Sequence, residues 1–263
     1  MNNIVGIGGV VGVVIISVIS AFFVGGIIMG VFASSPDQVD KIYLYISFFL
    51  GQGIIILPPI YYLNIKKKPI LNAFRIKRIS TNTLKSSVIF SLGVLIISDA
   101  LDRIVHRLVT TPEYIIDLGQ IMQPDSTMGY IFLFLAVVIM APIGEEMVFR
   151  GFLQKFLEQH WKDITRAVLV SSLLFAMIHF NPFWTIQIYL LGVILGFLSW
   201  KTNSIIPSII LHSMNNGIAF ILTIFEDSDL SIYLYNENVS PVFICLAAYF
   251  IYKGLKGINL IKA

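Results

Sequence analysis

The sequence predicts an all-α, polytopic integral membrane protein with about eight transmembrane helices enclosing an intramembrane cavity. Three observations carry that prediction. Of the 263 residues, 57% are hydrophobic and 13% charged, against about 45–50% and about 25% in soluble domains; mean hydropathy is +0.85. The apolar residues gather in runs close to the ~20 residues that cross a bilayer. The basic residues gather in alternate connections, the asymmetry that orients membrane helices.

The first run covers 4–33. It begins at Ile4 with no basic segment or small-residue cleavage site, so it reads as a first span and not as a removable signal peptide. Its glycines, among them Gly8, Gly12, Gly25 and Gly26, suit close helix packing in lipid. The second run covers 42–63. After it come Lys66, Lys67, Lys68, Arg75, Lys77, Arg78 and Lys85 with no acid among them, which assigns this loop to the cytoplasm. The third run is 86–108. Near its outer end Asp99 and Arg103, and Asp102 and His106, stand one turn apart and can pair along the helix.

The fourth run, 128–158, is apolar at first and then carries a charged cluster; 167–180 (a short run), 184–200, 205–225 and 240–256 complete the eight. Alternation places Lys155, Lys162, Arg166, Lys201, Lys253, Lys256, Lys262 and both termini inside. Asp37, Asp40, Glu113, Asp117, Asp125, Glu226, Asp227, Asp229 and Glu237 fall outside, with Lys41, Arg103 and Arg107 as exceptions. The organisation expected is 1–127 for three helices and the basic loop, 128–225 for a core of four helices, and 226–263 for the last helix and a short tail. Cys245 is the single cysteine, which excludes an intramolecular disulfide. The net charge of +3 calls for no nucleic-acid partner, because anionic headgroups account for the basic loops.

The cluster Glu145-Glu146-Met147-Val148-Phe149-Arg150-Gly151 is the exceptional feature. An ionised side chain at a membrane helix centre costs about 2.5–3.5 kcal/mol even on permissive scales. Glu146 and Arg150 are four apart and can neutralise each other, whereas Glu145 is rotated ~100° away. One acid is then structural and the other available. Pro142 and Gly144 favour a break in the helix that would admit water. Two further spans carry Phe175-x-x-x-His179 and His212-x-x-x-Asn216, each pair on one helix face. Counting ~1.5 Å per residue puts these groups at buried depth in the inner half of the bilayer. A carboxylate, two histidines and a carboxamide are what hydrolysis requires: a base for water and donors for an oxyanion.

These three motifs, in this order and on separate helices, resemble the CAAX-protease and bacteriocin-processing (Abi) family of intramembrane endopeptidases, which includes the Ras-converting CAAX endopeptidase. The resemblance spans about 128–225, under half of the chain. It implies that Glu145 activates water together with His179, that His212 and Asn216 form the oxyanion hole, and that Glu146 and Arg150 support the site. Phe175 would pack beside it, or serve only as a core aromatic. The family is usually described as metalloproteases. Glu145, His179 and His212 could ligate a divalent metal such as zinc, but no His-Glu-x-x-His helix is present, and the residues favour glutamate-activated water while leaving the metal open.

The function expected is endopeptidase action on membrane-associated peptides or proteins that enter from the bilayer or its cytoplasmic leaflet. The composition points weakly to a bacterium, where peptide maturation, bacteriocin processing or self-immunity are the fitting roles. Two alternatives compete: a non-proteolytic scaffold or immunity protein of the same fold, and a proton-coupled transporter, against which stands the lack of an internal repeat.

Overall fold

The computed structural model describes residues 6–32, 41–110, 112–115, 122–224 and 232–258. It is an all-α membrane protein. Helix α1 spans Ile7–Phe32; α2 (Lys41–Ile54) and α3 (Leu57–Ile65) form a second, interrupted rod; α4 is the single turn Ile70–Ala73; α5 spans Thr81–Leu108. A long helix α6 runs Thr127–Trp161. It is followed by α7 (Ile164–Met177), α8 (Thr185–Thr202), α9 (Ile206–Ile224) and, after a small hairpin, α10 (Pro241–Gly257). Asp37, Asp40, Asp117, Glu226, Asp227, Asp229 and Lys262 lie outside the described residues.

Four of these rods, Ile7–Phe32, Lys41–Ile65, Thr127–Trp161 and Thr185–Thr202, are long and apolar enough to cross a bilayer, and α7 and α9 are shorter apolar helices. Apolar side chains left uncovered on α1, such as Ile19, Phe22 and Phe23, are 59–67% exposed. An aqueous surface does not hold such a patch without a partner, whereas lipid does.

Helix starts follow from side-chain capping. Ser80, Ser126 and Asp163 each accept a hydrogen bond from the backbone N–H three residues on, at 3.1, 3.2 and 3.0 Å, which satisfies a donor that the first turn leaves open. Helix α6 ends where Lys162 turns left-handed at φ 55°. Pro142 and Gly144 do not break α6, contrary to the expectation from sequence. The helix stays continuous but widens into π-helix on both sides of the acidic pair, at Leu135–Met140 and Met147–Gln154. Pro142 lies at the start of the short α-helical stretch between them, where its missing N–H is tolerated most easily.

Small residues let helices approach closely. A Cβ on Gly254 of α10 would stand 2.5 Å from Phe90 Cβ, and one on Gly93 of α5 2.7 Å from the Ala247 carbonyl oxygen. The α5–α10 pair is the most extensive helix contact, and α9 packs against α5 and the first π segment. One core cluster joins α1, α3, α6 and α7 through Val10, Leu63, Phe149, Leu153 and Phe175. A second joins α5, α8 and α9 through Phe90, Leu195 and Leu211.

The C-terminal end of α5 pairs along its own length, as the spacing suggests. Arg103 Nε donates to Asp99 Oδ2 at 3.0 Å, and His106 Nδ1 stands 3.4 Å from Asp102 Oδ1. The same acids also tie other elements. Tyr233 donates to Asp99 (2.9 Å) and Gln187 of α8 donates to Asp102 (2.5 Å). Tyr233 precedes the hairpin Leu234–Tyr235/Asn238–Val239. Its turn residues Asn236 and Glu237 both have positive φ, 48° and 62°, the conformation that suits a two-residue hairpin loop. Burial, followed by the bond to Asp99, raises the Tyr233 phenol above its ordinary range.

Candidate active site

The site forms where α6, α7 and α9 converge. Glu146 and Arg150 are both fully buried and pair at 2.9 Å along α6. The Arg150 guanidinium also donates to the Gly192 carbonyl of α8 (3.2 Å) and stacks 4.0 Å from the centre of the Phe175 ring. A Cβ on Gly192 would come within 3.2 Å of Arg150 Nη2, and one on Gly196 within 2.7 Å of Gln154 Oε1. The spacing Gly192-x-x-x-Gly196 therefore allows α8 to lie against the polar face of α6. Gln154 repeats the arrangement one turn on, donating to the Gly196 carbonyl (2.9 Å) and to Glu158 (2.8 Å). Glu158 in turn accepts from Arg75. Arg75, expected only as a basic loop residue, is thus a buried partner of α6.

Glu146 has a second partner. His212 of α9 turns Nδ1 to Glu146 Oε1 at 3.0 Å. A carboxylate can only accept, so Nδ1 carries a proton, and Glu146 fixes the orientation of the ring. His179 is fixed in the same way: its Nδ1 lies 2.8 Å from the Phe175 carbonyl oxygen and must donate to it. Both rings consequently direct Nε2 to one atom, Glu145 Oε2, at 4.0 Å from His179 and 3.8 Å from His212. Glu145 Oε2 is buried and accepts no hydrogen bond. Such separations exceed a direct hydrogen bond but match two groups sharing a water. The His179 side chain is 29% exposed, against 7% for Glu145 and 5% for His212, so access is from the His179 side.

Asn216, one turn beyond His212, donates to the Val137 carbonyl at 2.9 Å. The π segment explains why that carbonyl is free. In π geometry its partner would be the N–H five residues on, at Pro142, which has none; Ala141 donates instead to Ala136. Asn216 supplies the missing donor with one amide hydrogen and keeps a second. Asn215 donates to Asn216 Oδ1 at 3.3 Å.

Phe175 forms the wall between these groups, with ring centres 4.9 Å from His179 and 5.7 Å from His212. The Glu146–His212 contact and the Gln154–Gly196 bond were not foreseen. Gln154 and Gly196 do carry a readable signal, a buried-face amide at the next helical turn after Arg150 and a small-x-x-x-small pair.

The same geometry tests a metal. Tetrahedral zinc with bonds of ~2.0–2.1 Å holds its ligand atoms roughly 3.4 Å apart. The Glu145, His179 and His212 atoms are chemically suitable but stand wider than that. Among the described residues no group of three or more His, Cys, Asp or Glu side chains is arranged to hold a metal ion. A divalent metal, left open by the sequence, would need the Glu145 carboxylate and the two histidines to draw closer than they stand here.

Residues 127–218 match the family model for type II CAAX prenyl endopeptidase Rce1-like proteins. Through these residues the chain is similar to the Rce1-like family. The matched segment contains Glu145, Glu146, Arg150, His179, which stands in the turn just after α7, His212 and Asn216. UPF0177 protein YbdI of Lactococcus lactis subsp. lactis (strain IL1403) is 27% identical over 146 residues, 52% of this chain and 77% of that protein. No solved structure matches the chain. The matched model describes type II CAAX prenyl endopeptidases, and this chain is an integral membrane protein similar to it over the segment that holds the candidate site.

Proposed function

We propose that the chain hydrolyses peptide bonds of membrane-associated peptides or proteins with a water activated by Glu145. The observation that carries this reading is the convergence of the two Nε2 atoms, one from the turn after α7 and one from α9, on the unpartnered Glu145 Oε2. A water among these three atoms gives its proton to the Glu145 carboxylate while the Nε2 lone pair of His179 accepts its other hydrogen and aims the oxygen. The oxygen bonds to the scissile carbonyl carbon and the carbonyl oxygen takes the negative charge. His212 enters the reaction as the imidazolium, protonated on both ring nitrogens before water is activated, with its Nδ1–H held by the Glu146 carboxylate and its Nε2–H donated to the oxyanion. Asn216 donates its second amide hydrogen. Collapse breaks the C–N bond, and Glu145 returns its proton to the leaving amine.

Glu146 and Arg150 are positioning residues in this scheme. Arg150 neutralises Glu146, and Glu146 holds His212. The substrate enters from the bilayer or its cytoplasmic leaflet, by the partly exposed face of His179. Both termini lie in the cytoplasm of a bacterial cell, in keeping with the unopposed lysines and arginines of 66–85. The division into 1–127, 128–225 and 226–263 fits a catalytic core flanked by packing helices. Peptide maturation, bacteriocin processing and self-immunity are the roles this chemistry would serve.

The test is cleavage of a membrane peptide by the purified protein in liposomes, with His179→Ala, His212→Ala and Asn216→Ala compared at equal folded fraction. Each histidine variant is expected to lose cleavage, and Asn216→Ala to lose about 10²–10³-fold, as for one oxyanion donor. Wild-type rates in both histidine variants would refute the mechanism. Complementation of a deletion strain by an inactive variant would instead favour the scaffold role.

A further inference from the structure

A cavity of about 770 Å³ opens where α1, α3, α4 and the last turns of α6 meet. It is distinct from the proposed catalytic groups, none of which lines it. Its polar side carries Lys66, Lys67, Lys68 and Lys155, with His160 at the rim and no carboxylate in the lining. Its other side is apolar, formed by Val10, Tyr62 and Phe152. Lys155 donates to the Asn72 backbone carbonyl and to its Oδ1 (3.0 Å), which fixes that ammonium in the wall. Lys66 lies 5.9 Å from the centre of the Tyr62 ring, at the border between the two sides. The acids of α6 pair with cations elsewhere: Glu146 with Arg150, and Glu158 with Arg75 of the connection after α4. Here four cations share one concave space with no acid in its lining, and Glu158, the carboxylate near Lys155, is engaged by Arg75.

Concentrated like charge without a counter-charge is unfavourable unless an anion enters. The volume suits a small-molecule ligand, and the apolar wall excludes a wholly polar one. The apolar wall begins on α1 at Val10, just over one turn from Ile15, where the exposed apolar face of that helix starts, so an acyl chain lying on that face has a short path to the wall. We infer that this cavity binds one anionic phospholipid, with the headgroup phosphate among Lys66, Lys67, Lys68 and Lys155 and an acyl chain along Val10, Tyr62 and Phe152. General attraction of basic loops to an anionic surface needs no cavity and no particular lysines; this site needs both.

The full chain is purified in detergent, incubated with phosphatidylglycerol or phosphatidylcholine, and bound lipid is counted by native mass spectrometry. Phosphatidylglycerol should be retained in preference to phosphatidylcholine. The double variant Lys66→Gln/Lys68→Gln should weaken retention about thirtyfold, a factor of about five for each lysine. Lys66→Arg/Lys68→Arg, which keeps the charge, should retain the lipid. Lys85→Gln/Lys201→Gln removes two charges that do not line the cavity and should leave retention unchanged. Equal loss in that control would reduce the effect to net charge and overturn the inference, as would undiminished retention in Lys66→Gln/Lys68→Gln. Displacement of the lipid by equimolar inorganic phosphate would identify a free-anion site and overturn the lipid assignment.

Discussion

Replacing Glu146 by glutamine separates its two duties. The carboxylate accepts from Arg150 Nη1 at 2.9 Å and from His212 Nδ1 at 3.0 Å, with both arginine and acid wholly buried. Glu146→Gln leaves the Arg150 charge in the interior with no opposing charge in direct contact. Breaking a buried pair from one side costs about 3–5 kcal/mol, which is a large part of a typical total stability of about 5–15 kcal/mol. Denaturant unfolding of the purified variant should therefore show a large fall in midpoint. The double variant Glu146→Gln/Arg150→Met removes both charges at similar volume and should recover most of that loss, since such replacements are often neutral. Activity should not return with stability. The neutral amide that replaces the carboxylate still accepts from His212 Nδ1 but no longer favours the imidazolium, so kcat should stay depressed by about 10²–10³-fold, as when an oxyanion donor is lost. A stable single variant would refute the buried-pair reasoning. A double variant with wild-type kcat would refute the link from Glu146 through His212 to catalysis.

Other consequences follow from the same contacts. Asn216→Ala strips the donor from the half-buried Val137 carbonyl and should cost about 1 kcal/mol in unfolding free energy in addition to its effect on rate. Gly151→Ala would place a Cβ 2.7 Å from the Phe74 carbonyl oxygen, and the backbone shift should lower unfolding free energy by about 1–3 kcal/mol. Exhaustive chelation should leave cleavage unchanged and added zinc should not raise it, because the Glu145–histidine separations exceed those of a zinc site; loss of activity restored by zinc would refute this. The raised Tyr233 phenol stabilises the folded state below its unfolded value of about 10 and ceases to do so as pH rises through the folded value. Unfolding above pH ~10 should accordingly be less steeply pH-dependent in Tyr233→Phe.

The division of labour between the two glutamates was legible because a helix separates neighbours by ~100° and aligns residues four apart. Spacing alone therefore assigned Glu146 to Arg150. The partnership of Glu146 with His212 was not legible, since it joins residues 66 positions apart and depends on how α9 docks on α6. Pro142 carries two meanings in a sequence, a break or a tolerated first-turn residue. Here the widened turn absorbs it, and Asn216 satisfies the carbonyl left over. The break was expected because proline's missing donor is visible in sequence, whereas the distant amide that replaces it is not. Helix positions followed directly from the apolar runs. The two-residue strands did not, because their turn, Asn236-Glu237, lacks the glycine that usually marks such a hairpin.

Glu145→Gln tests the central claim most directly, read by cleavage and by unfolding on the same preparation. Glu145 Oε2 is buried and accepts no hydrogen bond, so removing its charge should leave stability unchanged or raised, the opposite of Glu146→Gln. Cleavage should be abolished, because no other carboxylate is placed between the two histidine Nε2 atoms among the described residues. Full cleavage by a folded Glu145→Gln protein would contradict the account.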